Sequence, residues 1–62
     1  MKAIIKINMD NAAFGEHPCS IGEELGRILR TLGNDIAIVH GGMEENIRDV
    51  NGNTVGNIII KD

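Results

Sequence analysis

The residues best suited to chemistry stand before the first helical pattern, where His17-Pro18-Cys19 follow Asp10, with His40 far downstream. Imidazole, thiolate and carboxylate groups bind metals, and a thiolate beside a histidine can act as a nucleophile. A zinc site, however, needs three or four ligands at recognisable spacings, and this chain has a single Cys. We therefore favour loop residues without a metal, and a cysteine that simply packs beside the start of a helix.

Two other patterns that could do chemistry are weak. The carboxylates of Glu23-Glu24 and of Glu44-Glu45 are adjacent in sequence, so each pair points in different directions and cannot face one substrate as acid and base. Gly41-Gly42 lacks the strand, the following helix and the Lys-Ser/Thr of a phosphate loop. A chain this small also has little room to enclose a pocket. We expect no catalytic residue, no cofactor, no metal and no enzymatic activity.

Length and composition predict one small domain over residues 1–62. A single Cys excludes an intramolecular disulfide and suits a reducing cytoplasm. No apolar run approaches the roughly 20 residues of a membrane span. The net charge of -3 argues against nucleic acid as a partner. Because so short a chain buries only about 60% of its unfolded surface, a homodimer is one way to gain stability.

The first strand is expected over residues 2–9, where side chains alternate. One face carries Ala3, Ile5, Ile7 and Met9. The other face is polar, with Lys2, Lys6 and Asn8, except for Ile4. A long connection follows, and we expect its Phe14 to fold back onto the core, since it is the only aromatic residue; a partner-binding tip is the alternative.

A helix is expected to start at Ser20-Ile21-Gly22-Glu23, which matches a capping box. The apolar stripe that follows consists of Ile21, Leu25, Ile28, Leu29, Leu32, Ile36 and Val39. It runs through Gly33-Asn34, so one helix over about 20–40 is preferred, with Gly41-Gly42 as its stop. In the competing interpretation the helix ends at Gly33 and residues 36–40 form a short strand.

The last part of the chain predicts a β-hairpin around Asn51-Gly52, with arms at about 46–50 and 53–61 and a polar approach over 43–46. The turn is either a two-residue loop or, as we prefer, a turn that begins at Asp49, carries a left-handed Gly52 and pairs Ile47 with Val55. The predicted fold is two-layer α+β: strand, helix, strand, strand, with a three-stranded antiparallel sheet of order 1-3-2 packed on one helix.

An interaction surface is the most functional feature that the pattern indicates. If Ile58 and Ile60 face the helix, Ile59 faces away and becomes a neighbour of Ile4, provided that a bulge at Gly56 resets the alternation. Lys2, Lys6 and Lys61 would frame this patch. Arg27 and Arg30 are further candidates on the polar face of the helix, where ion pairs of Arg27 with Glu23 or Glu24 are the simpler explanation.

The segments Asp10-Asn11-Ala12-Ala13-Phe14, Arg27-Ile28-Leu29-Arg30 and 48–56 (RDVNGNTVG) resemble a family of very small uncharacterised proteins encoded by bacteriophages and prophages. The similarity spans nearly the whole chain, and departs at Gly33-Asn34 and in the approach to the hairpin. The resemblance implies a mobile-element protein that works inside a bacterial host. Together with the small size, the lack of a catalytic site and the Ile4–Ile59 patch, it leads us to expect a protein that binds a host or phage protein in the bacterial cytoplasm, inhibition of host defence being one such role. It supplies no catalytic residues. A nucleic-acid-binding accessory protein is the alternative function.

Overall fold

The computed structural model describes all 62 residues and has three strands and one helix. In chain order they are β1 (Lys2–Ile7), α1 (Pro18–Asp35), β2 (Glu44–Arg48) and β3 (Thr54–Lys61). The sheet has the order β1-β3-β2, and both pairings are antiparallel. The helix packs on one face of the sheet. The predicted two-layer α+β fold and strand order are confirmed.

The apolar core is small and joins α1, β2, β3 and the loop before the helix. Its buried side chains are Phe14, Ile28, Ile47, Val55, Ile58 and Ile60. Phe14 is 0% exposed, which confirms that it packs inside. Its loop is held by local bonds, since the Phe14 amide donates to the Asn11 carbonyl (3.2 Å) and the Ala13 amide donates to Asn11 Oδ1 (3.0 Å).

The start of α1 differs from the predicted capping box. His17 is the N-cap residue, and its Nδ1 accepts a hydrogen bond from the Cys19 amide at 3.1 Å. Pro18 occupies the first helical position, where its fixed φ suits a helix and its missing N–H costs nothing. The Ser20 hydroxyl donates to the His17 carbonyl at 2.8 Å, so Ser20 lies inside the helix.

The helix ends at neither of the two predicted positions, about residue 40 or Gly33. The helix stops at Asp35, because Ile36 has the extended conformation φ -76°, ψ 115°, and residues 36–40 form neither helix nor strand. Gly33 and Asn34 are weak helix formers just before this point. Ile36 still packs against the core from its extended position, so the apolar spacing continues past the end of the helix. Gly42, at φ +86°, belongs instead to a turn before β2.

The strand ends also differ from the predicted ones. β1 stops at Ile7, and the Asn8 side chain then accepts a bond from the Asp10 amide (2.9 Å) that turns the chain. β2 begins at Glu44, so most of the predicted polar approach is strand, and it ends before Val50.

The turn of the hairpin is the preferred alternative. The Gly52 amide donates to the Asp49 carbonyl (3.0 Å), the Asp49 amide donates to the Asn53 carbonyl (2.9 Å), and Gly52 has φ +84°. The predicted pairing of Ile47 with Val55 was wrong, because Ile47 lies opposite Gly56 and Arg48 opposite Thr54.

A β-bulge is present, but the prediction placed it one residue too late: Val55 is the extra residue, and Gly56 pairs with both Ile47 and Ile7. In a regular strand, Val55 and Ile58 would lie on opposite faces, because they are three residues apart. The bulge lets Val55, Ile58 and Ile60 all turn inward. A Cβ on Gly56 would collide with the Lys6 carbonyl, so β1 and β3 approach each other closely at the bulge.

Candidate interaction surface

The outer face of the sheet is the side that the helix does not cover. Ile4 lies directly opposite Ile59 in the β1–β3 pairing, so their side chains are neighbours on one face. The flanking Ile58 and Ile60 are buried against the helix side. Ile59 therefore points outward, and its predicted contact with Ile4 across the strands agrees with the register.

Three lysines surround this isoleucine pair. Lys2 lies opposite Lys61, and Lys6 lies opposite Asn57, all on the outer face by the alternation of the strands. Like charges directly opposite each other destabilise a sheet, and no carboxylate forms an ion pair with either lysine. The one carboxylate of the outer face is Glu44, which accepts a bond from Asn57 Nδ2 at 2.9 Å. A chain of net charge -3 thus carries a locally basic face.

The apolar part of the outer face is smaller than the sequence suggested. Ile4 and Ile59 are half-buried, although no layer lies above them. Aliphatic stems of neighbouring lysines can cover such side chains while the ammonium groups stay in water. Ile5, on the helix side of β1, is more exposed, at 45%. The reason is that α1 makes its main contact with the sheet at β2, so that Ile5 is left partly exposed, whereas Ile7 at the end of β1 packs against the core.

Arg27 and Arg30 lie in the helix layer, on the opposite side of the domain from Ile4, Ile59 and Lys6. Arg27 is engaged within the chain, since its Nε donates to Glu24 Oε1 at 2.7 Å and its second guanidinium nitrogen to Oε2 at 3.1 Å. Of the two predicted ion pairs, only the one with Glu24 forms. The candidate residues thus belong to two separate surfaces, and Arg30 is the exposed arginine of the second.

A buried polar cluster, which the sequence reasoning missed, ties the helix to the hairpin turn. Glu24 is buried, and besides Arg27 it accepts a bond from the Val50 amide at 2.9 Å. The hydrogen bond from Arg27 lowers the pKa of Glu24 in spite of burial. The sequence signal for a buried Glu24 was its position on the helix. It lies four residues before Ile28, on the same side of the helix, and three residues before Arg27, within reach of an ion pair. This carboxylate holds the turn on the helix.

Asp49 is the second buried carboxylate of the cluster. It accepts bonds from Asn11 Nδ2 (2.6 Å) and from the amides of Asn51 and Asn53 (both 2.9 Å). Burial opposes its ionisation, but these hydrogen bonds outweigh burial and lower the pKa of Asp49 below its ordinary value. The bond from Asn11 explains why the loop that carries Phe14 ends beside the turn. The cluster is built to hold three segments together.

The residues first considered for chemistry do not converge. Cys19 lies in the first turn of α1 and His40 beyond its end, and the helix between residues 19 and 35 alone spans about 24 Å at 1.5 Å per residue. No three His, Cys, Asp or Glu side chains form a group that could hold a metal. The largest cleft, about 410 Å³, is open to solvent and is lined by Asn8, Asp10, Asn11, Thr54 and Val55.

The features described here define a small two-layer α+β domain with an open, basic sheet face. The chain contains no helix with both the length and the apolar character needed to cross a membrane. No family model, curated protein or solved structure matched the chain.

Proposed function

We propose that the chain is a non-enzymatic binding protein whose outer sheet face contacts an acidic surface on a partner protein. The observation that carries the proposal is the set of three lysines, Lys2, Lys6 and Lys61, around the Ile4–Ile59 pair. Acidic side chains of a partner would relieve the repulsion between Lys2 and Lys61, and the isoleucines would supply the apolar centre of the contact.

The resemblance to small phage and prophage proteins gives this proposal a setting. The partner would be a host or phage protein in the bacterial cytoplasm, and inhibition of a host defence system is one role that such binding would serve. Nothing in this setting requires catalysis, because a bound protein of this size can block a surface of its partner.

A matched pair of charge reversals tests the proposal. The wild-type chain is immobilised, partners are captured from an extract of cells that encode it, and the affinity of each captured protein is then measured. Lys6→Glu, on the outer face, should weaken binding by about tenfold or more, because it opposes an acidic surface. Arg30→Glu makes the same change of charge on the helix layer and should leave the affinity unchanged.

Binding that survives Lys6→Glu but is lost with Arg30→Glu would place the contact on the helix and contradict the proposal. Capture of no partner at low salt would also contradict it. Circular dichroism of both variants shows that a loss of binding does not arise from unfolding.

A nucleic acid is the second candidate partner, because the same three lysines could neutralise phosphates. Against it stands the lack of an aromatic platform: Phe14 is the only aromatic residue and is fully buried, so no ring is free to stack on a base. Fluorescence anisotropy with labelled DNA and RNA at low salt distinguishes the two. A plot of the logarithm of the association constant against the logarithm of the salt concentration would have a slope of about -3 for three phosphate contacts. Such a slope would favour the nucleic acid.

A further inference from the structure

The outer edge of β1 is free to accept another strand. In the β1–β3 pairing the Asn8 amide donates to the Val55 carbonyl (2.8 Å), so even-numbered residues of β1 turn their backbone groups toward β3. The N–H and C=O groups of Ala3, Ile5 and Ile7 therefore point away from the sheet. No loop or side chain bonds to them. Charged residues make an edge strand resist pairing, and they make up three of the five residues of β2 (EENIR) against two of the six of β1 (KAIIKI), so β1 is the more favourable edge.

The side chains beside this free edge form an apolar strip on the helix side. Ile5 lies opposite the buried Ile58, yet remains 45% exposed because α1 is closest to β2. On α1, Glu24 reaches the turn after β2 and thus marks the flank of the helix toward that strand. Leu29 lies roughly 140° around the helix from Glu24, at 100° per residue, and is exposed on the flank toward β1. A core of six side chains leaves this strip uncovered within one chain.

We propose that two copies of the chain pair through β1, antiparallel, to form one continuous six-stranded sheet. A twofold axis perpendicular to the sheet keeps the helix side of one copy next to the helix side of the other. The outward backbone groups of the two β1 strands then bond to each other, and the two apolar strips lie side by side.

The lysines of β1 select the register of this pairing. Side chains directly opposite each other must share a face, so even-numbered residues face even-numbered ones. A register centred on Ile4 would place Lys2 opposite Lys6 of the second copy, which is repulsive. A register centred on Ile5 places Ile4 opposite Lys6 and Ala3 opposite Ile7, so that no two lysines lie directly opposite each other. We therefore assign the twofold axis to Ile5.

Charge also favours a second copy at the edge over a second copy on the outer face. A face-to-face dimer would stack the lysines of one outer face on those of the other, at a Coulombic cost. Edge pairing leaves both outer faces in water and joins them into a basic surface of twice the area. The dimer uses the backbone and the odd-numbered residues of β1, whereas the proposed partner contact uses Ile4 and the lysines, so each can fail without the other.

Light scattering during gel filtration tests the dimer at a concentration on the order of 0.1 mM, where a micromolar interface is saturated. We expect twice the chain mass of 6.7 kDa. Ile5→Lys should raise the dissociation constant about thirtyfold or more, because it puts two ammonium groups together at the centre of the interface. Val50→Lys is the matched control, since Val50 is 60% exposed in the hairpin turn, and it should leave the dimer intact. A monomeric wild-type chain, or a dimer insensitive to Ile5→Lys, would overturn the proposal.

Cross-linking tests the register without relying on the stability of the Ile5→Lys variant. In a Cys19→Ser background, Ile5→Cys should form an intermolecular disulfide with oxidised glutathione, since residues opposite each other at a hydrogen-bonded position are about 5.5 Å apart at Cα. Ala3→Cys should not form this disulfide. In the assigned register Ala3 lies opposite Ile7 of the second copy, so the two cysteines would be four residues, or about 13 Å, apart along the strands. Efficient cross-linking through Ile4→Cys or Ala3→Cys in place of Ile5→Cys would overturn the register.

Discussion

Replacing Phe14 tests most directly how the loop between β1 and α1 is held. The side chain is fully buried, and Phe14→Ala removes six carbon atoms. At about 0.8 kcal/mol per buried carbon, with partial relaxation of the cavity, the expected loss of unfolding free energy is about 3–5 kcal/mol. A domain of 62 residues is stable by roughly 3–9 kcal/mol. We therefore expect Phe14→Ala to be marginally folded or unfolded at room temperature.

Urea unfolding followed by circular dichroism measures this loss. Phe14→Leu removes three carbon atoms and should cost about 2 kcal/mol by the same arithmetic, which keeps the series measurable if the alanine variant does not fold. Val50→Ala, at an exposed position, should change stability by less than about 0.5 kcal/mol. If Phe14→Ala lowered the unfolding free energy by less than about 1 kcal/mol, the reasoning would be refuted. The alternative of a loop tip that binds a partner would then be favoured.

Two further predictions concern the hairpin. Gly56→Ala should destabilise the chain by about 1–3 kcal/mol, as overpacking does, because its Cβ would collide with the Lys6 carbonyl; in urea unfolding, a neutral effect would show that β1 and β3 can separate there freely. The lowered pKa values of Glu24 and Asp49 predict stability that is present above the carboxyl pKa of the unfolded chain, near pH 4, and is lost as the pH falls through the folded values. In a titration from pH 7 to pH 2, the urea concentration at the unfolding midpoint should therefore decrease once the pH drops below about 4. Asp49→Asn should make this decrease smaller.

The fold was largely predictable because its strongest signals are local. Asp49 and Gly52 favoured the turn that forms, and Ile58 and Ile60 are buried, as the interpretation of β3 assumed. The end of the helix was not predictable from periodicity, because Ile36 packs on the core in an extended conformation that leaves the apolar spacing unchanged. Periodicity records which side chains are buried, and it does not record the backbone that carries them.

The candidate surfaces were predicted only in part, for a different reason. The contact of Ile4 with Ile59 follows from register, which alternation can supply. The exposure of Ile5 depends on where the helix lies across the sheet, and no pattern within β1 reports that position. The buried Glu24 likewise owes its place to Val50, which is 26 residues away. Contacts between distant segments decided each of these outcomes.

The position of α1 also explains why an apolar strip is exposed beside β1. Glu24 holds the N-terminal half of the helix on the hairpin turn through the Val50 amide, and the helix makes its main contact with the sheet at β2. This position covers Ile47, which is buried, and leaves Ile5 45% exposed. A helix centred on β3 would have covered β1 and removed the apolar strip at its edge. The strand order leaves the edge of β1 free, and the bond from Val50 to Glu24, by keeping the helix near β2, leaves the apolar strip beside that edge exposed for the proposed second copy.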